Sequence, residues 1–138
     1  MSEVEYATGA HTKHRLKYHL VFLPKYRKRV LRGKIAREVR TLFLQAADIN
    51  SWNIESIQIL PDHLHMLIQL NPDLAVSKVV QILKGGSSRA IRISNPGLEE
   101  YLWGDSFWSD GYFAETVGRT DEAVLKKYIE EQNLKHAS

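Results

Sequence analysis

The middle of the chain holds two strand-like segments that are separated by a turn. Ile54 to Leu60 is rich in β-branched residues, and His63 to Leu70 alternates between apolar and polar side chains with a period of two. Proline followed by aspartate is typical of a turn, so Pro61 and Asp62 provide a tight connection between the two segments. The chain is therefore expected to contain two adjacent antiparallel strands that are joined by a tight connection.

Similar patterns predict the remaining elements. Apolar residues at helical spacing predict helices, and alternating residues predict further strands. The dipeptide Asp110 and Gly111 is a strong signal for a two-residue hairpin between Phe107–Ser109 and Tyr112–Val117. The other expected elements are a strand from Arg15 to Leu23, a helix from Ile35 to about Ala47, a helix between Pro72 and Asn95, and a last helix from an N-cap at Thr120 to about Asn133.

The order of these elements, β-α-β-β-α-β(β)-α, indicates the fold class. It is the order of the ferredoxin-like, split βαβ arrangement. We therefore expect an α+β protein with an antiparallel sheet, helices on one face, an extra hairpin strand and a C-terminal helix. A chain of 138 residues has the size of one domain, whose core should extend from about residue 13 to residue 133.

Composition excludes several classes of site. The chain has no cysteine, which excludes disulfides, thiolate nucleophiles and zinc or iron–sulfur sites held by cysteine. No window approaches the roughly 18 uninterrupted apolar residues of a membrane span. The N-terminal segment also lacks the basic and then apolar layout of a secretory signal. We expect a cytoplasmic protein that makes no contact with a membrane.

Positive charge is concentrated near the N-terminus. The formal net charge is only +3, but lysine and arginine crowd the first quarter of the chain while acidic residues gather near the end. A basic half favours contact with the phosphate backbone of a nucleic acid. Charge patterning alone fits an ordinary solvated face equally well.

The third predicted strand places two imidazoles side by side. Side chains alternate along a strand, so His63 and His65 share one face while Leu64 and Met66 point to the other. Neutral imidazole is the commonest metal ligand in proteins, and two such groups on one face can chelate one cation. The alternative is a pair of histidines on an exposed sheet face that binds no metal.

The last predicted helix carries a tyrosine and an amide on one face. Tyr128 and Gln132 are four residues apart, so a single turn separates them. A nucleophile and a metal ligand on one rigid helix would reach the same phosphate together. The alternative is that Tyr128 is a core residue, because it also belongs to an apolar stripe with Leu125 and Ile129.

Five segments, taken together and in this order, carry a resemblance to a known family. They are YHLVFLPKYRKRVL, PDHLHMLIQL, LKGGSSR, FWSDGYFAETVG and YIEEQ. The chain resembles the HUH single-tyrosine transposases, which mobilise insertion sequences as single-stranded DNA. The resemblance extends from about Lys13 to Asn133, which is nearly the whole chain.

The resemblance implies an activity and its residues. The family name describes a histidine, a bulky hydrophobic residue and a second histidine, which match His63, Leu64 and His65. It implies Tyr128 as the nucleophile and Gln132 as a third metal ligand. The implied cofactor is one divalent cation, Mg²⁺ or Mn²⁺. The implied reaction cleaves and rejoins single-stranded DNA through a 5′-phosphotyrosine intermediate.

The resemblance also implies partners. These are single-stranded DNA with hairpin ends and a second copy of the chain, in a homodimer whose C-terminal helices can complete each other's active sites. Basic side chains would then mostly position phosphates and not read bases. The candidates are Arg15, Lys25, Arg27, Lys28, Lys84, Arg89 and Arg92.

Two rival functions remain open at this point. A replication initiator or nickase of the HUH type shares the same site, although such proteins usually carry further helicase or primase segments. A non-catalytic ferredoxin-like module could bind nucleic acid on its sheet. In that second case His63 and His65 would be surface residues and Tyr128 would belong to the core.

Overall fold

Four antiparallel strands form one sheet in the computed structural model of the protein, which describes residues 15–118 and 126–132. The strands lie in the order β2-β3-β1-β4. The helices and strands, in chain order, are β1 Leu16–Phe22, α1 Gly33–Asn50, β2 Asn53–Leu60, β3 His63–Leu70, α2 Val76–Ser94, α3 Glu99–Leu102, β4 Phe113–Thr116 and a final helix α4, described over residues 126–132.

This architecture confirms the predicted α+β, ferredoxin-like fold. β2 and β3 lie within a residue of their expected bounds, and Pro61 and Asp62 form the turn between them. The expected N-cap at Thr120 and the expected helix end at Asn133 lie outside the described residues.

The predicted hairpin around Asp110 is wrong. β4 pairs with β1, from Tyr18 opposite Thr116 to Val21 opposite Phe113, and not with residues 107–109. The described residues therefore contain a four-stranded sheet without an extra hairpin strand.

Two interactions explain why residues 107–111 do not form a hairpin arm. The Trp108 side chain is buried in the core, where its Nε1 donates a hydrogen bond to Oγ of Ser87 (2.9 Å). The Lys84 ammonium donates to the carbonyl oxygens of residues 109–111. Trp108 forms only an isolated bridge with Pro24, so core burial and a lysine contact determine this conformation in place of strand pairing.

The main core lies between the sheet and the helices α1 and α2. Alternate residues of β1 and β3 point into it, as their period of two requires. It includes Leu20 and Phe22 from β1, Leu64, Met66, Ile68 and Leu70 from β3, Val39 and Phe43 from α1, and Val79 and Leu83 from α2. None of the helices in the described part of the chain combines the length and hydropathy of a membrane-spanning segment.

The opposite face of the sheet carries the polar side chains and is partly covered by α4. We call it the histidine face, and its members include His19, Gln58, His63, His65, Leu67, Gln69 and Glu115. Ile129 of α4 is completely buried, as is Leu67. Nζ of Lys126 lies 3.9 Å from Oε1 of Glu55, which connects α4 to the β2 side of the sheet. α1 and α2 therefore lie together on one face of the sheet, as expected, and the C-terminal helix α4 lies on the other face.

Candidate active site

Three histidines from two neighbouring strands meet on the histidine face. β3 provides His63 and His65, whose ring centroids are 4.8 Å apart. β1 provides His19, whose ring centroid is 5.3 Å from that of His65. In the antiparallel register Val21 lies opposite His65, so His19 is its diagonal neighbour on the same face.

His63 is held by a carboxylate at the turn. Its Nδ1 lies 2.8 Å from Oδ1 of Asp62, and Oδ2 of Asp62 accepts a hydrogen bond from Nε of Arg27 (3.0 Å). The hydrogen bonds that Asp62 accepts from His63 and Arg27, together with the charge of Arg27, lower the pKa of its carboxyl group. An ionised carboxylate only accepts hydrogen bonds, so Nδ1 of His63 is the donor. When the ring is neutral, its Nε2 therefore keeps the lone pair that a metal would need.

His65 forms its hydrogen bond through Nδ1, as His63 does. Its Nδ1 lies 3.0 Å from Nε2 of His19, and Nδ1 of His19 lies 3.3 Å from Oε2 of Glu115. Nε2 is therefore the nitrogen of His65 that remains for another group. Burial lowers the pKa of His65 to about 4, and the neighbouring His63 and His19 rings further disfavour a positive charge on it. The ring is consequently neutral at neutral pH, the form that coordinates cations.

Tyr128 lies beside His65. Its ring centroid is 6.1 Å from that of His65, with the two planes at 77°. The side chain is 46% exposed, whereas the next residue, Ile129, is completely buried. The interpretation of Tyr128 as a core residue is therefore wrong: Ile129 fills the apolar position, and the Tyr128 phenol is accessible to a substrate.

Gln132 lies one helical turn beyond Tyr128 and is partly buried. The structure brings together Tyr128, His63 and His65, and it places Gln132 on the same helix as Tyr128. Its role as a ligand remains a prediction.

The nitrogen atoms of the two β3 histidines suit a divalent cation whose remaining coordination positions are open to other ligands. Across residues 15–118 and 126–132, no group of three or more histidines, acids or cysteines is arranged to hold a metal. The available donors are instead the two Nε2 atoms of His63 and His65. Gln58 lies directly opposite His65 on β2, and its buried Oε1 accepts no hydrogen bond from the described residues. An oxygen without a hydrogen-bond partner opposite the neutral His65 ring is consistent with a site that receives a positively charged group.

Most of the predicted phosphate-contacting residues have partners within the protein. Arg27 binds Asp62, Arg92 binds Glu99 and Lys84 binds the carbonyls of residues 109–111. Lys25 lies 3.4 Å from Asp110, Lys28 lies over the Tyr101 ring, and Arg15 contacts the carbonyls of Ser51 and Gln69. Arg89 lines a groove of about 630 Å³ against α2. This groove is not lined by His63, His65 or Tyr128, so it is separate from the candidate active site.

Comparison with known proteins identifies the family. The sequence profile described as "Transposase IS200 like" matches residues 12–132. The ISDra2 transposase TnpA of Deinococcus radiodurans is 34% identical over 132 residues, which cover 96% of this chain and 94% of that protein. The chain belongs to the IS200-like transposase family. The transposase for insertion sequence element IS200 of Salmonella typhimurium is 33% identical over 123 residues, covering 89% of this chain and 80% of the relative.

Solved structures agree with this IS200-like assignment. A transposase crystal structure from Deinococcus radiodurans has a TM-score of 0.73 and 29% identity, covering 91% of this chain and 97% of the other. A REP-associated tyrosine transposase has a TM-score of 0.67 over 94% of this chain and 74% of the other, and its 14% identity shows the shared fold alone. The resemblance to HUH single-tyrosine transposases is confirmed.

The lowered pKa of His65 predicts a pH dependence of stability. The folded protein resists protonation of His65 until about pH 4, whereas an unfolded histidine titrates near 6.5. The contribution of His65 to the free energy of unfolding should therefore be fully present above about pH 6.5, and it should be lost as the pH drops from about 6.5 to about 4. The free energy of unfolding of the metal-free protein can be measured with urea at pH 7 and at pH 4.5. Its decrease between the two pH values should be larger by about 1–2 kcal/mol in the wild type than in His65→Gln. Equal losses in the two proteins would contradict this assignment.

Proposed function

We propose that this IS200-like transposase cleaves and rejoins single-stranded DNA at insertion-sequence ends through a 5′-phosphotyrosine intermediate, with one divalent cation bound. Membership of the family establishes it as a transposase. The observation that carries the chemical proposal is the half-exposed Tyr128 ring against His65, on a face where His63 and His65 both present Nε2.

Tyr128 is the proposed nucleophile. Its phenolic oxygen attacks the scissile phosphorus, forms a P–O bond to the 5′ side of the break and releases the 3′-oxygen, which takes up a proton. The phenolic proton passes to solvent. A 3′-hydroxyl can reverse the step because phenolate is the better leaving group, so cutting and joining need no ATP.

His63, His65 and Gln132 are the proposed ligands of the cation. When bound, a divalent cation neutralises charge on a non-bridging phosphate oxygen and helps to orient the phosphate. Two imidazoles and one amide leave positions open for phosphate and water. Mg²⁺ or Mn²⁺ is the proposed ion, although these ligand types would also accept softer divalent metals.

DNA with hairpin ends is the proposed substrate. The related REP-associated tyrosine transposase was solved bound to a REP hairpin. The proposed contacts of this chain with phosphate are its basic side chains, of which Arg89 forms no ion pair with any residue the structure describes. The other predicted basic contacts would have to exchange a protein partner for phosphate, as Arg92 would with Glu99.

A homodimer is the proposed assembly, with active sites that its subunits can share. All four residues of β4 are exposed, and in the described structure β4 pairs only with β1, so its outer edge can accept another strand. Sharing a site would require α4 to leave its own sheet. The 3.9 Å contact between Lys126 and Glu55 opposes this only weakly.

The non-catalytic rival is less consistent with the site. A simple binding module does not require an exposed phenol packed against the neutral His65 ring, and that interpretation predicted a buried Tyr128. The nickase rival shares the chemistry but would not rejoin element ends. No observation favours either rival over a transposase.

Removing the Tyr128 hydroxyl should abolish covalent chemistry. Incubation with a labelled single strand of an element end and Mg²⁺ should give an adduct that resists SDS, and Tyr128→Phe should form none. The matched control is Tyr112→Phe, because Tyr112 is similarly exposed (41%) but lies on the loop before β4. An adduct of normal yield in Tyr128→Phe would exclude Tyr128 as the nucleophile.

Mixing two inactive variants tests the shared site. Tyr128→Phe and His65→Ala should each be inactive alone. If α4 can cross between subunits, a mixed dimer combines the intact Tyr128 of one chain with the intact His65 of the other, and strand transfer returns. Mixed dimers that form, as measured with two affinity tags, and still show no strand transfer would contradict the sharing of sites.

A further inference from the structure

A buried histidine and a carboxylate on the histidine face are not used by the proposed chemistry. His19 is only 7% exposed, although it is a polar residue on β1. Glu115 lies directly opposite it on β4. The pair is continuous with His65, because Glu115, His19 and His65 are linked by hydrogen bonds of 3.3 and 3.0 Å.

The direction of these hydrogen bonds follows from the carboxylate. An ionised Glu115 can only accept, so Nδ1 of His19 must carry the proton. A neutral His19 then has its lone pair on Nε2, which can accept only if Nδ1 of His65 is the donor. The proton on His65 is thereby placed on Nδ1 and the lone pair on Nε2. Through His19, the Glu115 carboxylate therefore determines the tautomer of His65.

We propose that Glu115 and His19 are positioning residues that hold His65 in its Nδ1-protonated tautomer, with the Nε2 lone pair directed to the cation. This inference rests on the proposed function, in which His65 is a ligand. The planes of the His19 and His65 rings are parallel to within 1°, so the contact also fixes the orientation of the His65 ring.

His63 provides an internal comparison. Its Nδ1 donates directly to Asp62, which Arg27 holds in turn. Metal-bound histidines usually donate their second ring nitrogen to such a partner, which fixes the tautomer and raises the basicity of the ligand. His65 has no carboxylate hydrogen bonded to its own ring among the described residues, and His19 connects it to a carboxylate on the next strand.

Replacing Glu115 with an amide tests the proposal in the metal-free protein. In Glu115→Gln the amide NH₂ can donate to His19, which permits His19 to donate from Nε2 and His65 to move its proton to Nε2. Nitrogen NMR of ¹⁵N-histidine-labelled protein at neutral pH should show His65 protonated on Nδ1 in the wild type and increasingly on Nε2 in Glu115→Gln. The control is Glu100→Gln, an exposed carboxylate of α3.

Calorimetric titration with Mn²⁺ alone gives a second readout. Loss of such an outer partner typically weakens metal binding 10–100-fold, so Glu115→Gln and His19→Leu should weaken Mn²⁺ binding by about this factor while Glu100→Gln should not. His19→Gln should recover most of the affinity, because its Oε1 can still accept from Nδ1 of His65. Thermal unfolding of each variant identifies any loss of fold.

The outcomes distinguish this proposal from the proposed function. If wild-type protein binds Mn²⁺ and Glu115→Gln changes neither the tautomer of His65 nor the affinity for Mn²⁺, the positioning proposal is wrong and the proposed metal site is unaffected. If wild-type protein binds no Mn²⁺, the metal site is wrong, and the tautomer shift still decides whether Glu115 controls His65. Failure of His19→Gln to recover affinity in a folded protein would also contradict the proposal.

Discussion

A hydrogen bond at Nδ1 of each β3 histidine determines which ring nitrogen is available for a ligand. Asp62 accepts this bond from His63, and His19 lies at the same nitrogen of His65. Without these partners each ring could present either nitrogen and rotate, and two neighbouring imidazoles would not define a site. Asp62 is hydrogen bonded to His63, and Glu115 is connected to His65 through His19. The two carboxylates therefore contribute to the geometry of the candidate centre without being proposed as ligands.

The fold separates stability from chemistry on the two faces of one sheet. Alternate residues of β3 enter the core beneath α1 and α2, while the intervening residues carry the imidazoles. α4 combines both properties over a single turn, because Ile129 is buried on the histidine face while its neighbour Tyr128 remains half exposed. Burial of Ile129 thus determines where the phenol lies, and a change in the packing of α4 would move the proposed nucleophile relative to the histidines.

Much of this arrangement could be predicted from local patterns. Strand alternation placed His63 and His65 on one face, and the spacing of Tyr128 and Gln132 placed both on one side of a helix. The hairpin prediction failed because Trp108 and Lys84 hold residues 107–111 through contacts that are distant in sequence. His19, Gln58 and Glu115 were not identified as site residues for a related reason. Their positions beside His65 follow from the register between strands, which a single sequence does not specify.

The central claim is that one cation binds to Nε2 of both β3 histidines, next to Tyr128. Pulsed electron paramagnetic resonance of the Mn²⁺-loaded protein, labelled with ¹⁵N-histidine, tests it directly because bound nitrogens couple to the metal electrons. The account predicts couplings from two imidazole nitrogens in the wild type and from one in His63→Ala. Bound Mn²⁺ without histidine couplings, or couplings unchanged by His63→Ala, would contradict it.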